Sequence, residues 1–328
     1  MTLLDVQDLS VTFDTPRGPL HAASGVSFSV ARDETVAIVG ESGCGKSVTV
    51  SAITGMLDAA NARISGVVLH DGADVLTATA REQRGRLGRA IGMIFQNPMT
   101  SLNPVLSIGY QLTEPLKLHT ALSRRERRAW AIDLLRQVGL SDPEKRLGQY
   151  PHELSGGMRQ RVTIAIALAC DPELIIADEP TTALDVTVQA QILDLLRALR
   201  RERGSSMVMI THDLGVVAAL ADRVVVMYAG HVVETAPVAA LFAAPAHPYT
   251  AALMRAVPDP TDPRERDGAP LHHVPGQVPD LARLPQGCPF QPRCDRAVAA
   301  CVQTMPPAME ISPGQYAACH NPCTEARA

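Results

Sequence analysis

The segment TVAIVGESGCGKS constrains this chain more than any other. Residues 40–47, GESGCGKS, fit the spacing G-x-x-x-x-G-K-[ST]. They lie between an apolar run, TVAIV (35–39), and helix-compatible text, SVTVSAITGML (47–57). Strand, glycine loop and helix start, in that order, make a phosphate cradle. Gly40, Gly43 and Gly45 let backbone N–H groups turn inward around a phosphate. The helix that starts near Lys46 aims its positive dipole end at the same group. Lys46 supplies an ammonium for the β- and γ-phosphates of a nucleoside triphosphate, and the Ser47 hydroxyl is a ligand for Mg2+. Glu41, Ser42, Cys44 and Val48 complete the nucleotide-binding stretch. A glycine-rich turn arising by chance is the alternative. It is weak in a chain whose lysines are only Lys46, Lys117 and Lys145.

The rest of the first 236 residues fits a fold that carries such a loop. IGMIF (91–95), LIIAD (174–178), SMVMI (206–210) and RVVVMY (223–228) are short, continuously apolar runs. Together with TVAIVG (35–40) they read as strands buried on both faces. Helical text fills the gaps: a helix capped by Ser123 stops at Gly139, and another runs from Asp185 to Gly204. This alternation predicts an α/β unit with a largely parallel sheet. The stretch from about 97 to 170 is mostly helical and predicts a helical subdomain within it.

After HPYTAALMRAV (247–257) the composition changes. VPDPTDPRERDGAP (257–270) is rich in proline and charge and reads as a linker. The expected domains are therefore 1–256 and a small Cys/Pro-rich C-terminal domain, 257–328. At 328 residues and 46% hydrophobic content the chain can bury a sizeable core, and its formal charge of -4 gives no argument for nucleic acid as a partner. MTLLDVQDLS lacks the basic and apolar regions of a targeting peptide, and no apolar run reaches about 18 residues. The expectation is a reducing compartment and no membrane span.

Two further motifs point to nucleotide hydrolysis. LIIADEP (174–180) is an apolar strand that ends in two carboxylates. Asp178 stands where an aspartate would hold the Mg2+ shell. Glu179, one residue on, is placed to polarise an attacking water as general base. LSGGMRQR (154–161) puts Ser155, Gly156 and Gly157 at the start of a long helical run. On local physics this is either a plain N-cap or a second anion site; the phosphate loop before it and the acidic strand after it favour the second.

At this point the chain resembles the ATP-binding cassette family over essentially residues 1–250, with LSGGM matching its LSGGQ-type signature. The resemblance implies a P-loop NTPase fold with a helical subdomain. It also implies roles for further residues. Gln96, after IGMIF, matches the Q-loop glutamine that contacts Mg2+. ALD (183–185), with Asp185, matches the D-loop. His212, after SSMVMIT, matches the switch histidine at the γ-phosphate. Phe13, in LSVTFDT, sits where the family stacks an aromatic ring on adenine, although a strand Phe is more often core. The resemblance implies that ATP binds between the P-loop of one subunit and the signature helix of another.

FQNPMTSLNP (95–104), HPYTAALMRAVP (247–258) and PGQVPDLARLPQGCPFQPRC (275–294) are similar to the ATPase subunits of dipeptide, oligopeptide and nickel importers. That resemblance implies an ATPase at the cytoplasmic face of the inner membrane. Its implied partners are a second ATPase chain, often a different one, two transmembrane permeases, and an extracytoplasmic solute-binding protein. The competing expectations are an importer for nickel or another small solute, a soluble cassette ATPase acting on DNA or ribosomes, and a metal-sensing protein.

Five of the seven cysteines follow residue 287. Cys288, Cys294, Cys301 and Cys319 are spaced C-x5-C-x6-C-x17-C, with Cys323 beyond. Similar cysteines in the D-type subunits of this subfamily are associated with a 4Fe–4S cluster. Four thiolates suit such a cluster or zinc, and the spacing alone does not choose between these and unmetallated packing thiols. Cys323 leaves the fourth ligand open. Cys44 and Cys170 are read as non-ligands.

Overall fold

The computed structural model describes residues 1–16, 18–58, 61–182, 184–257 and 272–323. Most of the expected linker, residues 258–270, lies outside them, as does Ala183 of the D-loop triplet. In chain order the first elements are β1 (Thr2–Thr15), β2 (Gly18–Ala31), β3 (Thr35–Val39), α1 (Lys46–Ile53), β4 (Ala62–His70), β5 (Ala73–Asp74), α2 (Ala80–Arg86) and β6 (Ile91–Ile94). Then come α3 (Pro98–Ser101), α4 (Ile108–His119), α5 (Arg124–Gln137), α6 (Pro143–Arg146), α7 (Gly156–Ala167), β7 (Leu174–Asp178), α8 (Val186–Arg203) and β8 (Ser206–Ile210). The remainder is α9 (Leu214–Leu220), β9 (Arg223–Tyr228), β10 (His231–Pro237), α10 (Val238–Ala243), α11 (Pro248–Arg255), α12 (Ala299–Gln303), β11 (Ala308–Ser312) and β12 (Gln315–Ala318).

The chain forms two compact units, one of residues 1–4, 29–35 and 69–210, the other of residues 5–28, 36–68 and 211–328. In the first, β6, β7 and β8 are parallel neighbours, with Ile91 opposite Leu174 and Leu174 opposite Ser206. Leu174–Ala177 are buried, as a strand covered on both faces requires. Helices α3–α7 fill the stretch read as a helical subdomain. Each long helix begins on the cap its sequence announces. Ser107 caps α4, and Ser123 with Glu126 forms a capping box on α5. Trp130 Nε1 donates to Ala169 O at 2.8 Å, tying α5 to the end of the α7 segment. A Cβ on Gly92 would lie 2.3 Å from Ala167 O, so only glycine lets β6 lie this close to α7.

In the second unit β3 is parallel to β9, with Val36 opposite Arg223 and Val39 opposite Val226. The antiparallel partner of β9 is β10, whose register slips between Val232 and Glu234. The C-terminal region adds two strands to this sheet: β12 pairs antiparallel with β10, placing Glu234 opposite Ala317, and β11 pairs with β12. The cysteine-bearing segment thus shares a core with the nucleotide-loop region. Tyr228, Tyr249 and Phe290 meet there, with ring centroids 4.6 to 5.4 Å apart. Glu234 is buried; it accepts from the N–H groups of Ala246 and His247 and from Gln315 Nε2, each at 2.8 Å. His247 caps α11, its Nδ1 accepting from Tyr249 N–H at 3.0 Å. Burial pulls its pKa down to about 3, which keeps the ring neutral and able to accept that bond. Among the described residues no helix is long and apolar enough to cross a membrane.

Candidate nucleotide site and cysteine pocket

The loop between β3 and α1 has the shape that its glycines predict. Gly45 holds φ at 98° directly before the first turn of α1, and a Cβ there would lie 2.1 Å from Ala22 O. Gly40 has φ 156°, and a Cβ there would lie 2.2 Å from Met227 O. No other residue fits either position. The turn after β9 fixes the loop from outside: Gly230 N–H donates to Cys44 O at 3.0 Å, and Ser24 N–H donates to Gly230 O at 2.8 Å.

Lys46 is buried, and its ammonium donates to Gly40 O at 2.7 Å and Glu41 O at 3.0 Å. Those two carbonyls hold the charge where phosphate oxygens can replace them. Cys44 is buried, its Sγ 3.8 Å from Lys46 Nζ, and burial pushes its thiol up. Burial disfavours its thiolate and so lowers its reactivity. Ser42, Gly43 and Ser47 are exposed, and Glu41 and Val48 are half-buried.

The same unit holds two more of the expected residues. Thr211 N–H donates to Ile38 O at 3.2 Å, so His212 follows directly on a tie to β3, the strand that leads into the loop. Asp213 then caps α9, accepting from Gly215 N–H at 2.8 Å. Phe13 is half-buried on β1.

The other unit gathers Gln96, Asp178, Glu179, Ser155 and Asp185. Asp178 closes β7 and is half-buried. Glu179 follows with φ 45°, a left-handed conformation that a residue with a Cβ adopts at a cost. Its N–H donates to Ile210 O at 3.0 Å. Its Oε2 accepts from Gln96 Nε2 at 2.9 Å and from Thr182 Oγ1 at 2.8 Å. The carboxylate expected to act as base is therefore oriented by the expected Q-loop amide, a juxtaposition of residues 83 positions apart. Ser155 caps α7, its hydroxyl accepting from Met158 N–H at 3.4 Å, and Gly156 at the helix start has nothing within 4 Å of a built Cβ. Gln160 of α7 donates to Pro180 O at 2.7 Å, which links the signature helix to the segment that carries Glu179. Asp185 caps α8 through Val188 N–H at 2.9 Å.

Cys288, Cys294, Cys301 and Cys319 line one small pocket with His247, Phe290 and Arg296. Cys323 does not line it; its N–H donates to Ala246 O at 2.7 Å. All seven cysteines are free. Burial raises the thiols of Cys288 and Cys294, and it pushes Cys319 up to about 11, with the other three pocket cysteines adding to the shift. Among the described residues, however, no group of three or more His, Cys, Asp or Glu side chains is arranged to hold a metal ion. The expected 4Fe–4S cluster, and zinc as its alternative, gain no support from that arrangement. Burial favours the neutral form of Cys288, Cys294 and Cys319, and spacing in the sequence can report the number of thiols but not their surroundings.

Arg293 and Tyr249, both in contact with the phosphate loop at Glu41, were not anticipated. Arg293 lies inside the quoted segment PGQVPDLARLPQGCPFQPRC, but nothing local to it indicates a partner 252 residues away.

Comparison with known proteins bears on the family and the fold. The family description "ABC transporter" matches residues 23–182, and "Oligopeptide/dipeptide transporter, C-terminal region" matches residues 233–301. The oligopeptide transport ATP-binding protein OppD of Salmonella typhimurium is 49% identical over 323 residues, 98% of this chain and 95% of that protein. A putative peptide import ATP-binding protein of Brucella melitensis is 51% identical, over 94% of each chain. Among solved structures, an ATP-binding cassette in a dimeric post-hydrolysis state with ADP and Pi aligns at TM-score 0.65 and 29% identity, covering 72% of this chain and 98% of that one. The cbiO1 protein of Clostridium perfringens, part of an ABC transporter complex, aligns at TM-score 0.62 and 28% identity, over 74% of this chain and 90% of its own.

Proposed function

Since this chain belongs to the ABC transporter family, with the ATP-binding proteins of oligopeptide and dipeptide transport as its relatives, we propose that it is the ATP-hydrolysing subunit of a membrane importer for peptides. The observation that carries the proposal is the Gln96–Glu179 hydrogen bond of 2.9 Å, in a chain that also presents an intact phosphate loop. A carboxylate held by an amide next to a Mg2+-binding aspartate is the equipment for activating a water.

In this reading the loop residues 40–48 wrap the phosphates, and Lys46 exchanges its two carbonyl partners for β- and γ-phosphate oxygens. Ser47, Asp178 and Gln96 would supply protein oxygens to Mg2+, which would take the rest of its octahedral shell from water and phosphate. Glu179 accepts the proton of the attacking water, His212 donates to the γ-phosphate, and Phe13 packs on the adenine. Ser155, Gly156 and Gly157, with Asp185, belong to the face that meets the nucleotide of a second ATPase subunit. ATP closes the pair, and loss of the γ-phosphate releases it. Two permeases at the cytoplasmic face of the inner membrane convert that cycle into uptake of solute delivered by an external binding protein. The nucleotide domain spans 1–256 and the C-terminal domain 257–328.

When the chain is purified together with its permeases in lipid, its ATPase rate rises several-fold above that of the chain alone and does not respond to DNA or RNA. An ATPase indifferent to permeases and stimulated by nucleic acid would replace this reading with the soluble one.

For the cysteines we propose Cys288, Cys294, Cys301 and Cys319 as ligands of a 4Fe–4S cluster, on the support that they share one pocket. When bound, the cluster would cross-link the turns that carry the cysteines. Anaerobically purified protein is expected to be brown and to contain about four irons per chain, to lose them in Cys319→Ser, and to keep them in Cys323→Ser. A colourless, iron-free sample removes the cluster from the account.

A further inference from the structure

Glu41 is the only acidic residue of GESGCGKS. A carboxylate in a loop that wraps phosphates works against its ligand unless something neutralises it. Arg293 does so. Its Nη1 donates to Glu41 Oε2 at 2.6 Å and its Nη2 to Oε1 at 3.0 Å, a bidentate pair. The arginine side chain is 5% exposed. It is itself fixed by Pro275 O at 2.6 Å from Nε, Val274 O at 3.1 Å from Nη2 and Tyr228 Oη at 3.2 Å from Nη1.

Glu41 is also held through its main chain. Its N–H donates to Tyr249 Oη at 2.8 Å, and its carbonyl accepts from Lys46 Nζ at 3.0 Å. Cys44 N–H also donates to the Glu41 carbonyl, at 3.3 Å, and the holds from Tyr249 and Arg293 lie within the same compact unit. The Arg293 guanidinium carbon lies 5.7 Å from the Tyr228 ring centroid and 6.0 Å from that of Phe290, so aromatic rings shield the arginine side of the pair while the Glu41 carboxylate stays partly exposed.

Resting on the ATP-binding reading above, we propose that Arg293 is a positioning residue for nucleotide binding. It neutralises Glu41 and braces the phosphate loop from the C-terminal region. It acts through Glu41 and not on the nucleotide. The C-terminal segment is thereby a working part of the nucleotide site.

The test uses the full-length chain and a fluorescent ATP analogue with Mg2+. Arg293→Ala is expected to weaken binding about tenfold, the effect of one uncompensated charge near the phosphates at an effective dielectric of about 20. Turnover at saturating ATP stays within about twofold of wild type, because the loss lies in binding. Glu41→Gln combined with Arg293→Ala recovers part of the affinity, since the unpaired carboxylate is gone. Arg293→Lys falls between wild type and Arg293→Ala, because lysine keeps the charge and loses the fork. If Arg293→Ala does not fold, Arg293→Lys alone and combined with Glu41→Gln carries the same comparison.

Wild-type affinity in the Arg293 variants, or a double variant no better than the single one, overturns the brace and leaves the ATPase reading standing. A wild-type chain that fails to bind the analogue removes both.

Discussion

Glu179→Gln is expected to bind ATP with Mg2+ normally, to hydrolyse it about 10²- to 10³-fold more slowly, and to accumulate as a closed pair of ATPase subunits, since a positioned general base contributes about 10²–10⁴ to rate. The amide keeps nearly the volume and shape of the carboxylate. It can still accept from Gln96 Nε2 and Thr182 Oγ1, which hold Glu179 Oε2 at 2.9 and 2.8 Å. The backbone also keeps its Ile210 O partner. What is lost is the capacity to take a proton from water. Single-turnover hydrolysis and size-exclusion chromatography in ATP measure the two halves of this expectation. Near-normal turnover in the variant removes Glu179 from the chemistry.

Lys46→Ala is expected to lose nucleotide affinity by about 30-fold or more, from roughly 2 kcal/mol for a charge-assisted hydrogen bond to phosphate. The lysine is 6% exposed and its ammonium is already paired with Gly40 O and Glu41 O. Removing it takes away the cation proposed to meet the phosphates and the ammonium that donates to Gly40 O and Glu41 O, the second of which keeps Cys44 N–H at 3.3 Å. The loop has other supports, in the Gly230–Cys44 bond and the Glu41 ties, so the fold is expected to survive. Equilibrium binding of an ATP analogue, read beside thermal unfolding without nucleotide, separates the two effects. Unchanged affinity with an unchanged melting temperature would mean that the ammonium makes no contact with the nucleotide.

Much of the architecture was legible in the chain. LIIAD, SMVMI and RVVVMY became β7, β8 and β9 with the expected limits, because an unbroken apolar run of five or six residues bounded by polar text has few other ways to be buried. Ser123 and Asp185 each became the cap of the following helix, since a short side chain with an acceptor satisfies the first N–H groups from a few residues away. The Gln96–Glu179 bond was suggested only indirectly, through two motifs that resemblance had placed.

The fate of the C-terminal region was not legible. Its proline-rich text reads as a small second domain and does not announce that β12 pairs with the edge of β10 or that Gln315 donates into the buried carboxylate of Glu234. Edge pairing is specified by main-chain groups that every residue carries, so no residue type announces it. For the cysteines, the count and spacing were visible but their separation was not. The structure places Cys319 in the pocket and turns Cys323 toward Ala246.

The amino-acid sequence by itself determined the local chemistry: a loop whose glycines let main-chain N–H groups turn inward, a lysine directly after the last of them, and two carboxylates at the end of an apolar strand. These depend on neighbours a few positions apart. The tertiary structure alone decided which distant groups share a charge or a proton. Arg293 meets Glu41 across 252 positions and Gln96 meets Glu179 across 83. The strength of such interactions follows distance in space, and the distance between residues so far apart in the chain is set by how the strands and loops that carry them pack.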